Sequence, residues 1–252
     1  MKVLTAFKNK TPIFTLSFLL LLLGLPSALF AEPSYKIVNT DQLKEMMAQK
    51  QALVLIDSRS SQEYQEAHIK GAISLPVDKF QEYKAVLPED RTRLLVIYCN
   101  GVKCGKSNRL AKQIEPMGYQ NILIYSEGIP VWEERAFPIV AGPEYGKKIE
   151  TLKVRPAELR KMIDDKKGDF LLVDVRDPAE FKEGHIPTAI NIPAETFASR
   201  SEILPKEKKI IVYCNTGSRS YIAYRKLIQL AYPNIFQTLL ADWKDAGMPL
   251  EK

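Results

Sequence analysis

The sequence is poor in cysteine and histidine, the residues that most often build disulfide frameworks and zinc sites. Its 252 residues include three cysteines and two histidines. Three cysteines are too few for a disulfide scaffold, and no cysteine–histidine spacing fits zinc, so no metal is expected. Hydrophobic residues make up 46% of the chain and charged residues 26%. These ordinary globular values exclude a disordered, a collagen-like or a polytopic membrane protein.

The chain also lacks a strong charge of either sign. Its formal net charge is +6, but Lys2, Lys8 and Lys10 lie in the first 31 residues, which contain no acidic residue. Without that segment, 33 basic and 30 acidic residues remain. This balance does not favour nucleic-acid binding, so no nucleic-acid partner is expected.

The N-terminal segment has the layout of a secretory signal peptide. The three lysines precede a nearly unbroken apolar run from Ile13 to Leu25, and small residues follow near Ala31. We expect residues 1–31 to be a signal peptide cut near Ala31, and the protein to be exported to the periplasm. The alternative is an uncleaved N-terminal membrane anchor, since about 20 apolar residues can span a bilayer.

The rest of the chain contains one unit twice. Aligned residues are 117 positions apart at first, and the offset then falls in small steps to 111. Ordered matches of this kind indicate a duplication with short insertions in the first copy. The matches include Leu55–Arg59 with Leu172–Arg176, His68 with His185, Cys99 with Cys214, Ser107 with Ser220, and Trp132 with Trp243.

The duplication predicts two domains of ordinary size. Glycine and proline cluster without apolar periodicity over residues 141–146, which indicates a linker. We therefore expect a first domain over residues 35–141, a linker over 142–150 and a second domain over 151–252.

Strand and helix patterns alternate within each copy. This alternation predicts an α/β fold of two tandem domains, each a mainly parallel sheet flanked by helices on both faces. The strands expected in the first copy are Leu53–Asp57, Ala72–Leu75, Leu94–Tyr98 and Asn121–Tyr125. Those expected in the second are Phe170–Asp174, Ala189–Ile192, Lys209–Tyr213 and Ile235–Leu239, with helices at Arg155–Ile163, Pro178–Lys182 and Ser220–Leu230.

A cysteine loop follows the third strand of the second copy, at the end of the sheet where α/β proteins gather ligands. It runs from Cys214 to Ser220 and leads into a helix. Free backbone N–H groups at a helix N-terminus form an anion cradle, which favours a thiolate at Cys214. Gly217 permits the tight turn, and Arg219 can hold an incoming oxyanion.

This loop and its flanking motifs resemble the rhodanese family. The motifs are Asp174-Val175-Arg176, Gly184-His185-Ile186 and Ala189-Ile190-Asn191-Ile192-Pro193. The resemblance covers the chain twice, from about Tyr35 onward, and implies a tandem-domain sulfurtransferase.

The resemblance implies catalysis through a persulfide. Cys214 would take the outer sulfur of thiosulfate or a related small sulfur-containing anion, and sulfite would leave. Cyanide or a thiol, including a protein thiol, would then accept the sulfur. Such covalent catalysis needs no metal or organic cofactor. The residues that would bind the substrate and the anionic persulfide are Asn215, Thr216, Gly217, Ser218 and Ser220.

The first copy departs from this pattern. Eight positions separate Cys99 from Ser107, lysine replaces the arginine, and Cys104 is an additional cysteine. Three interpretations stay open. Cys99 is a second sulfur-carrying site, or Cys99 and Cys104 form a redox pair, or this copy is catalytically silent and serves packing or partner binding.

Two further function classes stay open. A non-enzymatic sulfur carrier or partner-binding module would use the same loop without turnover. A phosphatase or arsenate reductase is disfavoured, because Cys214 and Arg219 are one residue closer together than in the phosphatase loops of this fold. His68 and His185 belong to the fold motif, so we expect each ring to bind backbone and fix a turn.

Overall fold

The computed structural model describes residues 35–49, 52–165 and 169–252. Residues 35–252 form one compact unit. The expected signal peptide, residues 1–31, lies outside the described residues. Within the described ranges, no helix is long and apolar enough to cross a membrane.

The first half of the described chain builds a parallel sheet of five strands in the order β1-β6-β5-β2-β4. A separate antiparallel pair joins β3 and β7. The elements are β1 (Lys36–Val38), α1 (Thr40–Ala48), β2 (Leu53–Asp57), α2 (Ser61–Glu66), β3 (Ala67–Ile69), β4 (Ile73–Ser74), α3 (Phe80–Tyr83), β5 (Leu94–Tyr98), α4 (Lys106–Ile114), β6 (Ile122–Tyr125), α5 (Gly128–Glu134) and β7 (Ile139–Ala141).

The second half repeats this arrangement with four parallel strands in the order β11-β10-β8-β9. At the edge of this sheet, Lys153 forms a single parallel bridge with Gln237. This bridge corresponds to the pairing of β1 with β6 in the first half. The elements are α6 (Pro156–Asp164), β8 (Phe170–Asp174), α7 (Pro178–Glu183), β9 (Ile190–Asn191), β10 (Lys209–Cys214), α8 (Ser218–Gln229), β11 (Ile235–Leu239) and α9 (Leu240–Asp245).

The central strands bury both of their faces. In β10, Val212 packs in one core cluster with Leu227 of α8, and Ile211 packs in another with Trp243 of α9. Successive residues of a strand point to opposite faces, so a strand that is covered on both sides is apolar throughout. The predicted α/β architecture is therefore confirmed, and the predicted bounds of β2, β5, β8 and β11 match the observed ones.

The edge strands are shorter than predicted. The segments expected over Ala72–Leu75 and Ala189–Ile192 contain strands only at Ile73–Ser74 and Ile190–Asn191. The first residue of each predicted strand donates its N–H to a turn carbonyl instead of to the sheet. A proline, which has no N–H, follows each strand within two residues.

A buried ion pair lies at the C-terminal end of β2 and of β8, the aligned strands of the two copies. Arg176 binds both carboxylate oxygens of Asp174 and donates to the Gly184 carbonyl at 2.8 Å. Arg59 pairs with Asp57 in the same way. The Asp174 and Arg176 side chains are 0% and 6% exposed. Since both side chains are almost completely shielded from water, each charge is stabilised mainly by the other.

The two copies meet through polar contacts between α5 and the second domain. The Glu134 carboxylate accepts the N–H groups of Ala198 and Ser199 at 2.6 and 3.0 Å. It also binds Lys226 of α8 at 2.6 Å, and the Gln229 amide donates to the neighbouring Glu133 at 2.8 Å. The end of α8 is thereby held against the first domain.

We expect Asp174→Asn to destabilise the protein strongly. The substitution leaves the Arg176 charge buried without its counterion, which costs about 3–5 kcal/mol in the free energy of unfolding. Urea denaturation measures the loss. The matched control is Asp164→Asn in the exposed Arg160–Asp164 pair, where less than about 1 kcal/mol is expected. Equal effects of the two substitutions would contradict this account.

Candidate active site

The loop after β10 surrounds the sulfur atom of Cys214. Cys214 is the last residue of β10 rather than the first of the loop, and α8 begins at Ser218, two residues before the predicted start. Gly217 is the N-cap residue of α8 with a φ of +108°, a backbone conformation that favours glycine. The N–H groups of Gly217 and Ser220 point at Cys214 Sγ, at 3.2 and 3.4 Å.

These contacts suit a negatively charged sulfur. Backbone N–H groups at the start of a helix carry partial positive charge, and hydrogen bonds to an ionised group are stronger than those to a neutral one. The Ser220 hydroxyl lies 3.4 Å from the same sulfur. Two amides and one hydroxyl therefore converge on Cys214 Sγ.

Gln237 orients that hydroxyl. Its side-chain Nε2 donates to Ser220 Oγ at 2.7 Å and to the Gly217 carbonyl at 3.0 Å. Its Oε1 accepts the Thr151 hydroxyl at 2.7 Å. Because the amide occupies a lone pair of Ser220 Oγ, the hydroxyl proton is free to point at Cys214 or at the Gly217 carbonyl, which lies 3.1 Å away.

Gln237 was not predicted from the sequence. The available signal was a long polar side chain in a buried strand, since Gln237 is only 5% exposed. The aligned position of the first copy is Ile124, which offers no hydrogen bond to Ser107.

Arg219 is held by carboxylates. Its guanidinium donates to both oxygens of Glu180, at 2.8 Å for Oε1, and contacts Asp177 at 3.4 Å. The hydrogen bond from Arg219 lowers the pKa of Glu180 to about 2. The expected role of Arg219 in holding an oxyanion requires this ion pair to rearrange, and it stays a prediction.

Three of the predicted binding residues line a cleft beside the loop. Thr216, Gly217 and Ser218 line this cleft, which has a volume of about 930 Å³. Asn215, Thr216 and Ser218 are exposed, while Cys214 itself is 2% exposed. Lys148 and Lys153, on the segment before α6, line the same cleft. A small anion that enters this cleft therefore reaches the loop residues that follow Cys214.

The first copy places Cys99 directly after β5, facing α4. The helix N-cap is again a glycine with a left-handed backbone, Gly105 at φ +73°. Cys99 Sγ lies 3.6 Å from Ser107 Oγ. The position is the same as that of Cys214, but the surroundings include a second thiol.

Cys104 lies beside Cys99. A hydrogen bond from the Cys104 thiol is the largest cause that lowers the pKa of Cys99 to about 6, against the effect of burial. The N–H and hydroxyl of Ser107 add to this stabilisation. The pKa of Cys104 is raised by its contact with Cys99 and by burial. Both are free thiols in this structure.

The ion pair beside the loop is retained in the first copy. Lys106 Nζ lies 3.1 Å from Glu63 Oε2, as Arg219 pairs with the aligned Glu180. Burial alone would raise the pKa of Glu63, but hydrogen bonds from Asn100 and Ser60 and the charge of Lys106 lower it to about 2. The replacement of arginine by lysine therefore preserves the charge pairing.

The two histidines stabilise turns, as the sequence predicts. His68 Nδ1 lies 2.9 Å from the Tyr64 carbonyl, and its ring stacks on Tyr64. His185 has the same relation to Phe181 at 3.0 Å. In the described ranges, no group of three or more His, Cys, Asp or Glu side chains is placed to hold a metal ion.

The tryptophans are packing residues. Trp132 and Trp243 are each at most 2% exposed. Their ring N–H groups donate to the carbonyls of Pro138 and Pro249, which closes each domain over its core.

Comparison with known proteins matches both halves to one family. The Rhodanese-like domain matches residues 39–135 and 155–245. A "Sulfurtransferase" of Allochromatium vinosum is 36% identical over 84 residues, which are 32% of this chain and 78% of that protein. A "Thiosulfate sulfurtransferase" of Pseudomonas aeruginosa is 24% identical over 239 residues, covering 77% of this chain and 88% of that protein.

A solved structure of a thiosulfate sulfurtransferase from Pseudomonas aeruginosa is also similar. The two share 19% sequence identity, with a TM-score of 0.38. The match covers 86% of this chain and 43% of that one.

We expect the alkylation of Cys99 by iodoacetamide to follow a pH profile with its midpoint near 6. The thiolate is the reactive form, so the rate rises as pH passes through a pKa of about 6. Peptide mass spectrometry after timed quenching measures the rate at each pH. In Cys104→Ala the main hydrogen bond to the thiolate is lost, and the midpoint moves to higher pH. A midpoint that is the same in both proteins would show that Cys104 does not support the thiolate.

Proposed function

Because the chain belongs to the rhodanese-like family, we propose that its second domain is a sulfurtransferase that carries sulfane sulfur as a persulfide on Cys214. The donor is thiosulfate or a related sulfur anion, and the acceptor is cyanide or a thiol. The observation that carries this proposal is the convergence of the Gly217 and Ser220 N–H groups on Cys214 Sγ.

The chemistry follows from that arrangement. The Cys214 thiolate attacks the outer sulfur of thiosulfate, the bond between the two donor sulfurs breaks, and sulfite leaves with its electron pair. The persulfide that remains carries a negative charge. The two amides and the Ser220 hydroxyl are placed to hold this charge, because donors at a helix N-terminus stabilise anions. The acceptor then attacks the outer sulfur and restores the Cys214 thiolate.

The comparisons support the choice of donor. The Pseudomonas aeruginosa relative that spans most of this chain is named a thiosulfate sulfurtransferase. The cleft beside the loop is lined by Lys148 and Lys153 together with Glu150, and the lysines attract a small dianion such as thiosulfate. The spacing of Cys214 and Arg219, which is one residue shorter than in the phosphatase loops of this fold, counts against a phosphatase.

We expect Cys214→Ser to abolish thiocyanate formation from thiosulfate and cyanide. Loss of the nucleophile lowers the rate by at least about 100-fold. The steady-state assay is run in parallel on Cys99→Ser, the aligned cysteine of the first copy. If Cys99→Ser removes the activity and Cys214→Ser does not, the assignment to the second domain is wrong. A single equivalent of sulfite without turnover would instead indicate a carrier, and brisk hydrolysis of aryl phosphates would indicate a phosphatase.

Gln237→Leu is expected to slow the release of sulfite. The Ser220 hydroxyl loses the partner that orients it toward Cys214, and one hydrogen bond to a charged group is worth roughly 10-fold in rate. Stopped-flow measurement of the first turnover with thiosulfate reports this step directly. The matched control is Ile124→Leu at the aligned position of the first copy, which lies in the other domain. A rate equal to that of the unchanged protein would contradict the positioning role of Gln237.

A further inference from the structure

The additional residues of the first loop bring a second thiol to the nucleophile. The Cys104 N–H donates to the Gly101 carbonyl at 2.9 Å, which closes a tight turn within the loop. This turn places the Cys104 thiol beside Cys99, and its Sγ lies 3.7 Å from Asn100 Oδ1. The second loop has no cysteine after Cys214. The two loops therefore share one nucleophile position but differ in what faces it.

The second domain contacts the first loop at three of its residues. Asn100 Nδ2 donates to the Gln229 carbonyl at 2.7 Å, and Lys103 Nζ donates to the Leu204 carbonyl at 2.6 Å. A Cβ on Gly101 would lie 3.0 Å from a Leu230 methyl group, so the two domains touch at this point.

Both nucleophile positions are buried, since Cys99 is 1% exposed and Cys214 is 2% exposed. The first position differs in having a second, only partly buried thiol, Cys104, beside it. A persulfide on Cys99 would therefore have a thiol next to it before any external acceptor arrives.

A lysine of the second domain lies near the thiol pair. The charge of Lys206 interacts with Cys99 and Cys104, and Lys103 and Lys106 are close enough to repel it. A cluster of ammonium groups stabilises anionic sulfur species, including a persulfide and a departing sulfide.

From this geometry we propose that Cys99 and Cys104 form a dithiol site that takes a sulfane sulfur atom and releases it as sulfide. The site would thus reduce sulfur instead of transferring it. That the donor is thiosulfate or a related sulfur anion rests on the proposed function. The step that releases sulfide is additional to that function.

The reaction has two balanced steps. The Cys99 thiolate attacks the outer sulfur of thiosulfate, sulfite leaves, and a Cys99 persulfide anion forms. The Cys104 sulfur then attacks Cys99 Sγ, the bond to the outer sulfur breaks, and that sulfur takes the Cys104 proton and leaves as HS⁻. The two thiols are oxidised to a disulfide by two electrons, which reduce the sulfane sulfur. An external dithiol is the class of reductant that returns the pair to its starting state.

Proximity favours this internal attack. A reacting group held against its target reaches effective molarities of about 10⁵ M or more, far above any dissolved thiol. We therefore expect release of sulfide through Cys104 to be faster than transfer to a dissolved acceptor.

The experiment uses the full chain carrying Cys214→Ser, fully reduced and kept free of oxygen, with thiosulfate as the donor. We expect one equivalent of sulfide and one of sulfite per chain. Peptide mass spectrometry then shows a Cys99–Cys104 disulfide, which forms only when thiosulfate is present. A sample without donor controls for adventitious oxidation.

The matched variant adds Cys104→Ser to Cys214→Ser. It is expected to stop after the first step, so the Cys99 peptide gains one sulfur atom and no sulfide appears. The proposal is overturned if the protein that retains Cys104 accumulates the Cys99 persulfide, or if it takes up no sulfur at all. A protein with both Cys99→Ser and Cys104→Ser keeps Cys214 as its only cysteine. Sulfur uptake by this protein therefore tests the proposed function separately from the dithiol site.

Discussion

The site depends on one constraint, which is that a cysteine at the end of a central parallel strand must face the first turn of the following helix. Gly217 and Gly105 adopt left-handed backbones at the N-caps of α8 and α4, and this turns the loop N–H groups inward. The strand is fixed by burial on both faces, and the helix is fixed by its packing on the sheet. The rigid scaffold therefore sets the position of the sulfur, and the loop sets its chemistry.

Comparison of the two copies separates the contribution of the scaffold from that of the loop. Both copies keep the Asp–Arg pair, the stacked histidine and the ion pair beside the loop. They differ where the sulfur is contacted. The serine beside Cys214, Ser220, accepts a hydrogen bond from Gln237, whereas in the first copy Ile124 takes the place of Gln237 and Cys104 lies beside Cys99. This difference is the basis for proposing transfer to an outside acceptor at Cys214 and reaction between two thiols at Cys99.

Much of the fold could be predicted from local pattern. Apolar runs that end in a charged or polar residue predicted the bounds of β2 and β8, because strands buried on both faces must be apolar. The edge strands were predicted too long, since turn hydrogen bonds and proline, rather than hydrophobicity, decide where they end. The loop that begins at Cys214 was also recognisable, because its residues are contiguous in sequence, and the role of Cys214 as nucleophile stays a prediction. The contacts of Gln237, the carboxylate partners of Arg219 and the contacts of the second domain with the first loop were not recognisable, since each joins segments that are far apart in the chain.

The central claim is that Cys214 carries sulfur as a persulfide, and peptide mass spectrometry tests it most directly. The protein is purified without reductant, treated with thiosulfate and digested at low pH, with a cyanide-treated sample beside it. The account predicts that the Cys214 peptide gains one sulfur atom, which cyanide removes. A Cys214 peptide that gains no sulfur from thiosulfate or from other sulfane-sulfur donors would contradict it.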